Sequence, residues 1–149
     1  MKIFITTSIC FLLLLSFQSS IAGSLVKITG LKTENGVWDP GLLNRSELEK
    51  AIKLFFVQHT EKIITVDPEY ILNNLSDYTI EYAGIISDNG KKIVQCRMIL
   101  DYNSWHPDVK AISEKSRFTT IFDGGCSIVD LGYNPENSEI IFIICNGVA

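Results

Sequence analysis

The sequence brings one histidine and two carboxylates close together at residues 101–108, which read Asp-Tyr-Asn-Ser-Trp-His-Pro-Asp. His106 lies between Asp101 and Asp108, and a histidine beside a carboxylate can act as a general base or as a metal ligand. The alternative interpretation is a surface turn in which Trp105 packs against the protein. The sequence places no second histidine or cysteine at ligand spacing, so it predicts no metal site.

Two other residues could react, and the sequence favours a structural role for both. His59 ends a predicted helix, where a positive charge would stabilise the helix C-terminus. Cys96 could be a nucleophile with His106, but its predicted strand neighbours are apolar, and a thiol among apolar groups is inert. The sequence contains no Gly-x-Ser-x-Gly motif and no phosphate-binding glycine loop. We therefore expect no catalytic residue and no cofactor.

Residues 1–22 are typical of a secretory signal peptide. Lys2 supplies a positive charge, residues 9–15 are apolar, and Ser20-Ile21-Ala22 places small residues at the cleavage site. The apolar run is too short for a membrane span. We expect cleavage after Ala22 and a secreted or periplasmic protein without a membrane anchor.

The expected mature chain, residues 23–149, has the length of one domain. Removal of Lys2 leaves 12 basic and 17 acidic residues, a formal charge of −5 instead of −4. Nucleic acids and anionic membranes attract basic clusters, so neither is an expected partner. Three cysteines remain, which predicts one disulfide and one free thiol in an oxidising compartment.

The first half of the mature chain predicts a strand and two helices. Residues 24–29 alternate as in a strand. Asn44 or Ser46 can cap the next element, and Ser46 with Glu49 matches a capping box. Four apolar residues of that helix recur at helical spacing, namely Leu48, Ala51, Ile52 and Phe55. Three more widen the apolar face and predict that the helix is well buried, namely Leu54, Phe56 and Val57. Residues 68–75 predict a shorter helix, with Asp67 as its cap and Pro68 in its first turn. Asn44-Arg-Ser46 and Asn74-Leu-Ser76 match N-glycosylation acceptors.

Two hairpins follow. Asn89-Gly90 between residues 78–86 and 92–100 favours a two-residue turn. That turn would place Ile85 opposite Val94, Ala83 opposite Cys96 and Tyr82 opposite Arg97.

The second predicted hairpin joins residues 118–131 to residues 138–147. Asn134-Pro135-Glu136-Asn137 is typical of a type I turn. The register set by this turn places Cys126 directly opposite Cys145, so we expect these two cysteines to form the disulfide. Gly124-Gly125 predicts a bulge before that bridge.

This order of elements resembles the cystatin-like fold, in which an antiparallel sheet wraps around one long helix. The predicted fold class is therefore α+β, with four to five antiparallel strands, one long helix and a short second helix. A disulfide between the last two strands is also similar to that of secreted cystatins. The inhibitory motifs of cystatins are absent from this chain. Its first hairpin loop is Ser87-Asp88-Asn89-Gly90, and its last hairpin loop has Pro135-Glu136 where cystatins have Pro-Trp. The extra helix is similar to the related NTF2-like arrangement.

Three functions remain open at the level of sequence. The first, favoured by exclusion, is a small exported binding or interaction protein without catalysis. The second is a protease inhibitor that uses its hairpin loops and N-terminal segment. The third is an NTF2-like small-ligand binder or enzyme, with a pocket between helix and sheet that holds Asp130 or Tyr82.

The last predicted strand is apolar at every position from Ile140 to Ile144. Both of its faces therefore favour burial. At a sheet edge such a strand invites pairing with another chain, so we expect either intramolecular cover or a partner, another protein or a second copy, at Ile140, Phe142 and Ile144.

Overall fold

The structure, a computed structural model, describes residues 23–59, 65–101, 117–120 and 123–147. These residues form two helices and six strands, which confirms the α+β class. The helices are α1 (Arg45–Gln58) and α2 (Pro68–Asn73). The strands are β1 (Leu25–Lys27), β2 (Val37–Trp38), β3 (Thr79–Ile86), β4 (Lys92–Ile99), β5 (Gly125–Asn134) and β6 (Glu139–Asn146). The predicted signal peptide lies outside the described residues.

The sheet differs in detail from the expected antiparallel one. Its strand order is β1-β3-β4-β5-β6, with β2 also paired to β3, so the described residues contribute six strands instead of four to five. β1 runs parallel to β3, and the other pairs are antiparallel. The sheet is mixed because β2 and both helices lie between β1 and β3 in the chain, and such a long connection can return the chain in the same direction.

Side-chain caps begin both helices. Asn44, not Ser46, caps α1: its Oδ1 accepts a hydrogen bond from the Glu47 N–H at 3.3 Å. Glu49 does not close a capping box and instead accepts a 2.7 Å hydrogen bond from Arg45 Nε. The Asp67 carboxylate accepts from the Tyr70 N–H at 3.0 Å, with Pro68 in the first turn of α2, as the sequence predicts.

The core lies between α1 and one face of the sheet, which we call the inner face. The predicted stripe of Leu48, Ala51, Ile52 and Phe55 is buried. The wider apolar face is wrong in part, because Phe56 is buried whereas Leu54 and Val57 are exposed. The sheet contributes to the same core through β3, β4, β5 and β6, including Ile80, Tyr82, Val94, Cys96, Met98, Val129, Leu131 and Ile143.

The predicted register of the first hairpin is wrong by one residue. Ile85 pairs with Ile93 and Tyr82 with Cys96, because the loop has three residues instead of two. The Gly90 N–H donates to the Ser87 carbonyl at 2.8 Å, and the Ser87 N–H donates to the Lys91 carbonyl at 2.9 Å. This is a type I turn followed by a left-handed glycine, Gly90, with φ +78°.

The second hairpin also departs from its predicted register, yet it forms the predicted disulfide. Val129, not Cys126, pairs with Cys145, because the turn is longer than expected. One bulge near Gly132 and another after Gly125 shift the pairing, so Gly125 lies opposite Asn146. The bulge after Gly125 places Cys126 next to Cys145 again, and the two sulfur atoms are 2.00 Å apart. The disulfide is therefore confirmed, whereas the bulge lies between Gly125 and Val129, after the position predicted for it at Gly124-Gly125.

The two ends of the sheet differ in how they are held. At the end where β3 begins, Arg45 Nη1 donates to the carbonyls of Gly23 and Tyr78, and its Nη2 donates to those of Leu75 and Ser76. We call this the braced end. The opposite end holds the β3–β4 turn, the β5–β6 turn and the last turn of α1.

Candidate functional site

The sequence-predicted cluster around His106 falls mostly outside the described residues. His106 and Asp108 lie within residues 102–116, which the structure does not describe. Asp101 is described; it is exposed, directly after the turn that ends β4, and has a positive φ of 50°. The cluster therefore stays a prediction.

Cys96 lies on the inner face, fully buried, and is a free cysteine. Burial raises its pKa well above the ordinary thiol value. A thiol that stays protonated and out of contact with solvent is a poor nucleophile.

Tyr82 and Asp130, the residues proposed for a helix–sheet pocket, do not converge. Tyr82 is buried on the inner face, where its hydroxyl donates to the Gly41 carbonyl at 3.2 Å. Asp130 is directly opposite Arg97 across β4–β5 and lies on the other face of the sheet, which we call the outer face. The two side chains cannot act on one ligand within a single pocket.

The outer face carries a charged cluster that we name the Arg97 cluster: Glu81, Arg97, Thr119 and Asp130. Arg97 binds Asp130 with two parallel hydrogen bonds of 2.7 and 2.8 Å. Its third donor, Nη1, reaches the Thr119 carbonyl. The Thr119 N–H donates to Glu81 Oε2 at 2.7 Å and its hydroxyl donates to Glu81 Oε1. Hydrogen bonds to Asp130 raise the pKa of Arg97, against the opposing effect of burial.

Sequence reasoning missed this cluster because of the register error. A two-residue turn puts Tyr82 opposite Arg97, whereas the observed turn puts Glu81 opposite Arg97. A carboxylate directly across from a guanidinium is the favourable arrangement. Testing each turn length for such a pair would have found the correct register. The saturated hydrogen bonding of the cluster, in which each carboxylate already has donors, gives it a structural role.

A surface cavity lies at the end opposite the braced end, among the described residues. This end cleft has a volume of about 650 Å³. Its walls are the last turn of α1 (Phe55, His59), the β3–β4 turn (residues 87–91) and the β5–β6 segment (residues 134–141). Its volume lies within the range of sites for small molecules or peptide side chains. A smaller groove of about 180 Å³ continues from it along α1, past Ala51, Leu54 and Gln58.

His59 occupies the helix side of the end cleft and is held in one orientation. Its ring stacks on Phe55 with centroids 4.1 Å apart. Its Nδ1 lies 2.9 Å from the Phe55 carbonyl oxygen, which also accepts the His59 N–H. Because a carbonyl oxygen only accepts, Nδ1 carries the proton in this contact, and Nε2 can accept from a ligand or a solvent molecule. His59 thus caps the C-terminus of α1, and its Nε2 can contact a ligand in the cleft.

The rim of the cleft is polar and its turns are stiffened by their own side chains. Asn89 Oδ1 accepts from the Ser87 hydroxyl at 2.6 Å. Asn134 Oδ1 accepts from the Glu136 N–H at 2.9 Å, and Asn137 Nδ2 donates to Glu139 at 2.7 Å. These bonds fix the turns and use one oxygen or one nitrogen of each amide. The remaining nitrogen or oxygen of each side-chain amide can contact a ligand. Ile93, Ile140 and Ile141 form the apolar part of the cleft wall.

The charges of the cleft are mainly negative. Asp88 and Glu139 line it, and Lys91 is the basic residue among its described lining. The last turn of α1 adds the negative end of the helix dipole and carries no basic residue. The cleft therefore favours neutral polar or cationic groups.

A smaller cavity of about 240 Å³ is lined by residues of β1, β2 and β3 and includes Trp38 and Pro40. Trp38 Nε1 donates to the carbonyls of Ile85 and Ile93, each at 3.1 Å. Its ring lies against Gly84, where any Cβ would come within 2.3 Å of the Trp38 carbonyl oxygen. These contacts hold β2 against β3, so Trp38 has a structural role.

Within the described ranges, no group of three or more histidine, cysteine, aspartate or glutamate residues could hold a metal ion. Across those same ranges, no helix is long and apolar enough to span a membrane. No protein-family model, curated protein or solved structure matches this chain.

Proposed function

We propose that this chain is a small exported binding protein that acts without catalysis and recognises a partner in the end cleft. The observation that carries the proposal is the cleft itself. It combines a volume of about 650 Å³, apolar walls and a polar, negatively charged rim on turns that are stiffened by their own hydrogen bonds. Preformed concave sites of this kind lose little entropy on binding.

The charge and shape of the cleft favour one class of partner. An extended peptide with an apolar side chain next to a lysine or arginine would place the apolar group against Ile93 and Ile140. Its cation would then lie near Asp88, Glu139 and the C-terminal carbonyls of α1. The adjoining groove along α1 makes the site longer, as binding of an extended peptide requires.

The geometry favours this proposal over inhibition by hairpin loops and N-terminal segment together. The Ser24 carbonyl accepts from the Ile80 N–H, which places the described N-terminus near the start of β3. The hairpin loops lie at the other end of β3, about 25 Å away at the usual strand rise. A protease would have to span this distance to contact both, whereas a peptide in the cleft contacts one end of the sheet.

The test is selection of displayed random peptides on the immobilised, disulfide-intact protein, followed by affinity measurement on two charge-reversal variants. Asp88→Lys changes the cleft, and Asp77→Lys makes the same charge change at the braced end. We expect selected peptides to be enriched in apolar and basic residues. Asp88→Lys should weaken their binding by about tenfold or more, and Asp77→Lys by less than about twofold.

Increasing salt should weaken the same binding, because the contributing charges are partly exposed. The proposal fails if no peptide is enriched, or if the selected peptides bind both variants as they bind the unchanged protein.

A further inference from the structure

β6 forms an edge of the sheet and keeps apolar side chains exposed. Among the described residues it pairs with β5 on one side and with no strand on the other. Ile141, Phe142 and Ile144 are 49%, 37% and 50% exposed, whereas Ile140 and Ile143 are buried in the core. The predicted contact with a partner through Ile140, Phe142 and Ile144 stays a prediction; of these residues Phe142 and Ile144 are exposed, and Ile140 faces inward.

The edge carries few of the features that keep edge strands apart. From Ile140 to Cys145 the strand has no charged residue and no proline. One protective feature is present, the bulge near Gly132, which leaves Ile141 without a direct partner on β5. Beyond that bulge, Phe142 to Cys145 pair regularly with β5, and the Phe142 ring covers Gly132. An apolar, regular and uncharged edge is a template for another strand.

We propose that β6 pairs antiparallel with β6 of a second copy of this chain, with Ile143 on the two-fold axis. Directly opposed residues of an antiparallel pair lie on the same face of the sheet. With Ile143 on the axis, Phe142 of one copy lies opposite Ile144 of the other, twice, on the outer face. Moving the axis to Ile144 would pair Phe142 with Asn146, and moving it to Phe142 would oppose outward Ile144 to inward Ile140. The chosen register matches both exposed apolar residues.

The charges near this edge are compatible with a second copy as its occupant. In the proposed register the two Glu139 side chains are separated by eight residue steps, roughly 27 Å along the strands. That distance exceeds the screening length at physiological salt, so the acidic ends do not oppose pairing. The net charge of −4, or −5 after removal of Lys2, gives a general repulsion between copies. Salt should therefore strengthen the dimer, whereas it should weaken binding in the cleft.

This interface and the end cleft share the start of β6, where the proposed register places Glu139, Ile140 and Ile141 beside the second copy. The apolar pairs lie on the outer face at Phe142 and Ile144, while the described walls of the end cleft include neither residue. Either proposal can fail without the other.

The test is sedimentation velocity of the mature, disulfide-intact protein over a concentration series up to roughly 1 mM. We expect a reversible monomer–dimer equilibrium. Phe142→Lys and Ile144→Lys should each raise the dimer dissociation constant by about tenfold or more, because each places a charge in an apolar pair. Val57→Lys is the matched control: Val57 is apolar and 71% exposed on α1. It should change the constant by less than about twofold.

A double variant tests the register itself. Phe142→Lys with Ile144→Glu places opposite charges across the two-fold axis and should dimerise more tightly than Phe142→Lys with Ile144→Lys. Circular dichroism checks folding, and Ile144→Lys keeps the test valid if loss of the Phe142 ring over Gly132 prevents folding. A protein that stays monomeric throughout, or a dimer that both lysine variants leave intact, overturns the proposal. Equal association of the two double variants overturns the register.

Discussion

At the scale of single residues, Arg97 holds two strands and a separate segment together on the outer face. Glu81 is 0% exposed, and Arg97, which carries the guanidinium, is its direct partner on β4. Replacing a buried ion pair by apolar groups can be neutral, but removal of one member leaves a charge without compensation. The same guanidinium also anchors Thr119, and so the short described segment 117–120.

Arg97→Ala should therefore destabilise the protein by about 2 kcal/mol or more, since it removes charge-assisted hydrogen bonds from a pair whose side chains are 19% and 23% exposed. Urea unfolding followed by circular dichroism measures the difference in free energy of unfolding. Lys27→Ala is the control, since Lys27 pairs with the exposed Asp39 at the surface, where an ion pair contributes little to stability. Equal effects of the two substitutions would show that the Arg97 cluster is not a buried ionic network.

The roles of these residues could be predicted only in part from the sequence. It predicted a buried Cys96 and a structural His59, because apolar neighbours and a position at a helix end are visible in a sequence. It did not predict the end cleft, since that cavity forms only when two turns and a helix end meet in space. The Arg97 cluster was hidden by a register error of one residue.

At the scale of elements, turn chemistry decided which register predictions were right. Asn89-Gly90 marks a hairpin, but the two residues occupy the last positions of a type I turn with a glycine bulge instead of a two-residue turn. Helix caps were more predictable, because Asn44 and Asp67 act within three residues of their own positions. The parallel pairing of β1 with β3 depends on long-range packing, which no local pattern encodes.

The Cys126–Cys145 bridge should stabilise the second hairpin measurably. It joins residues 19 positions apart, for which loop entropy predicts a contribution of about 3 kcal/mol. The double variant Cys126→Ala with Cys145→Ala should lose this amount in urea unfolding. Peptide mapping without reduction should find Cys96 as a free thiol. A bridge that contains Cys96 would contradict the sheet order.

At the scale of the whole molecule, the two ends of the sheet have different characters. Arg45 binds four backbone carbonyls at the braced end, while the other end is left open by two turns and the end of α1. A fold that concentrates its cross-links at one end can present a stable recognition site at the other. The disulfide is consistent with the oxidising compartment expected for an exported protein.

Expression in a secreting host should release a chain that begins at Gly23. We expect this because Ser20 and Ala22 are the small residues that signal peptidases require. Intact-mass measurement under non-reducing conditions should give residues 23–149 with one disulfide. A mass that includes residues 12–15 would contradict export with cleavage.

The buried position of Cys96 has a consequence for oxidation during folding. Cys96 is 30 and 49 positions from Cys126 and Cys145, whereas those two are 19 positions apart. Loop closure in an unfolded chain therefore favours the native pair over its two rivals by only about twofold and fourfold. That kinetic preference is too small to prevent mispairing. We expect protection to come instead from burial of the Cys96 thiol in the core, so faster sheet formation should raise the yield of correctly oxidised protein.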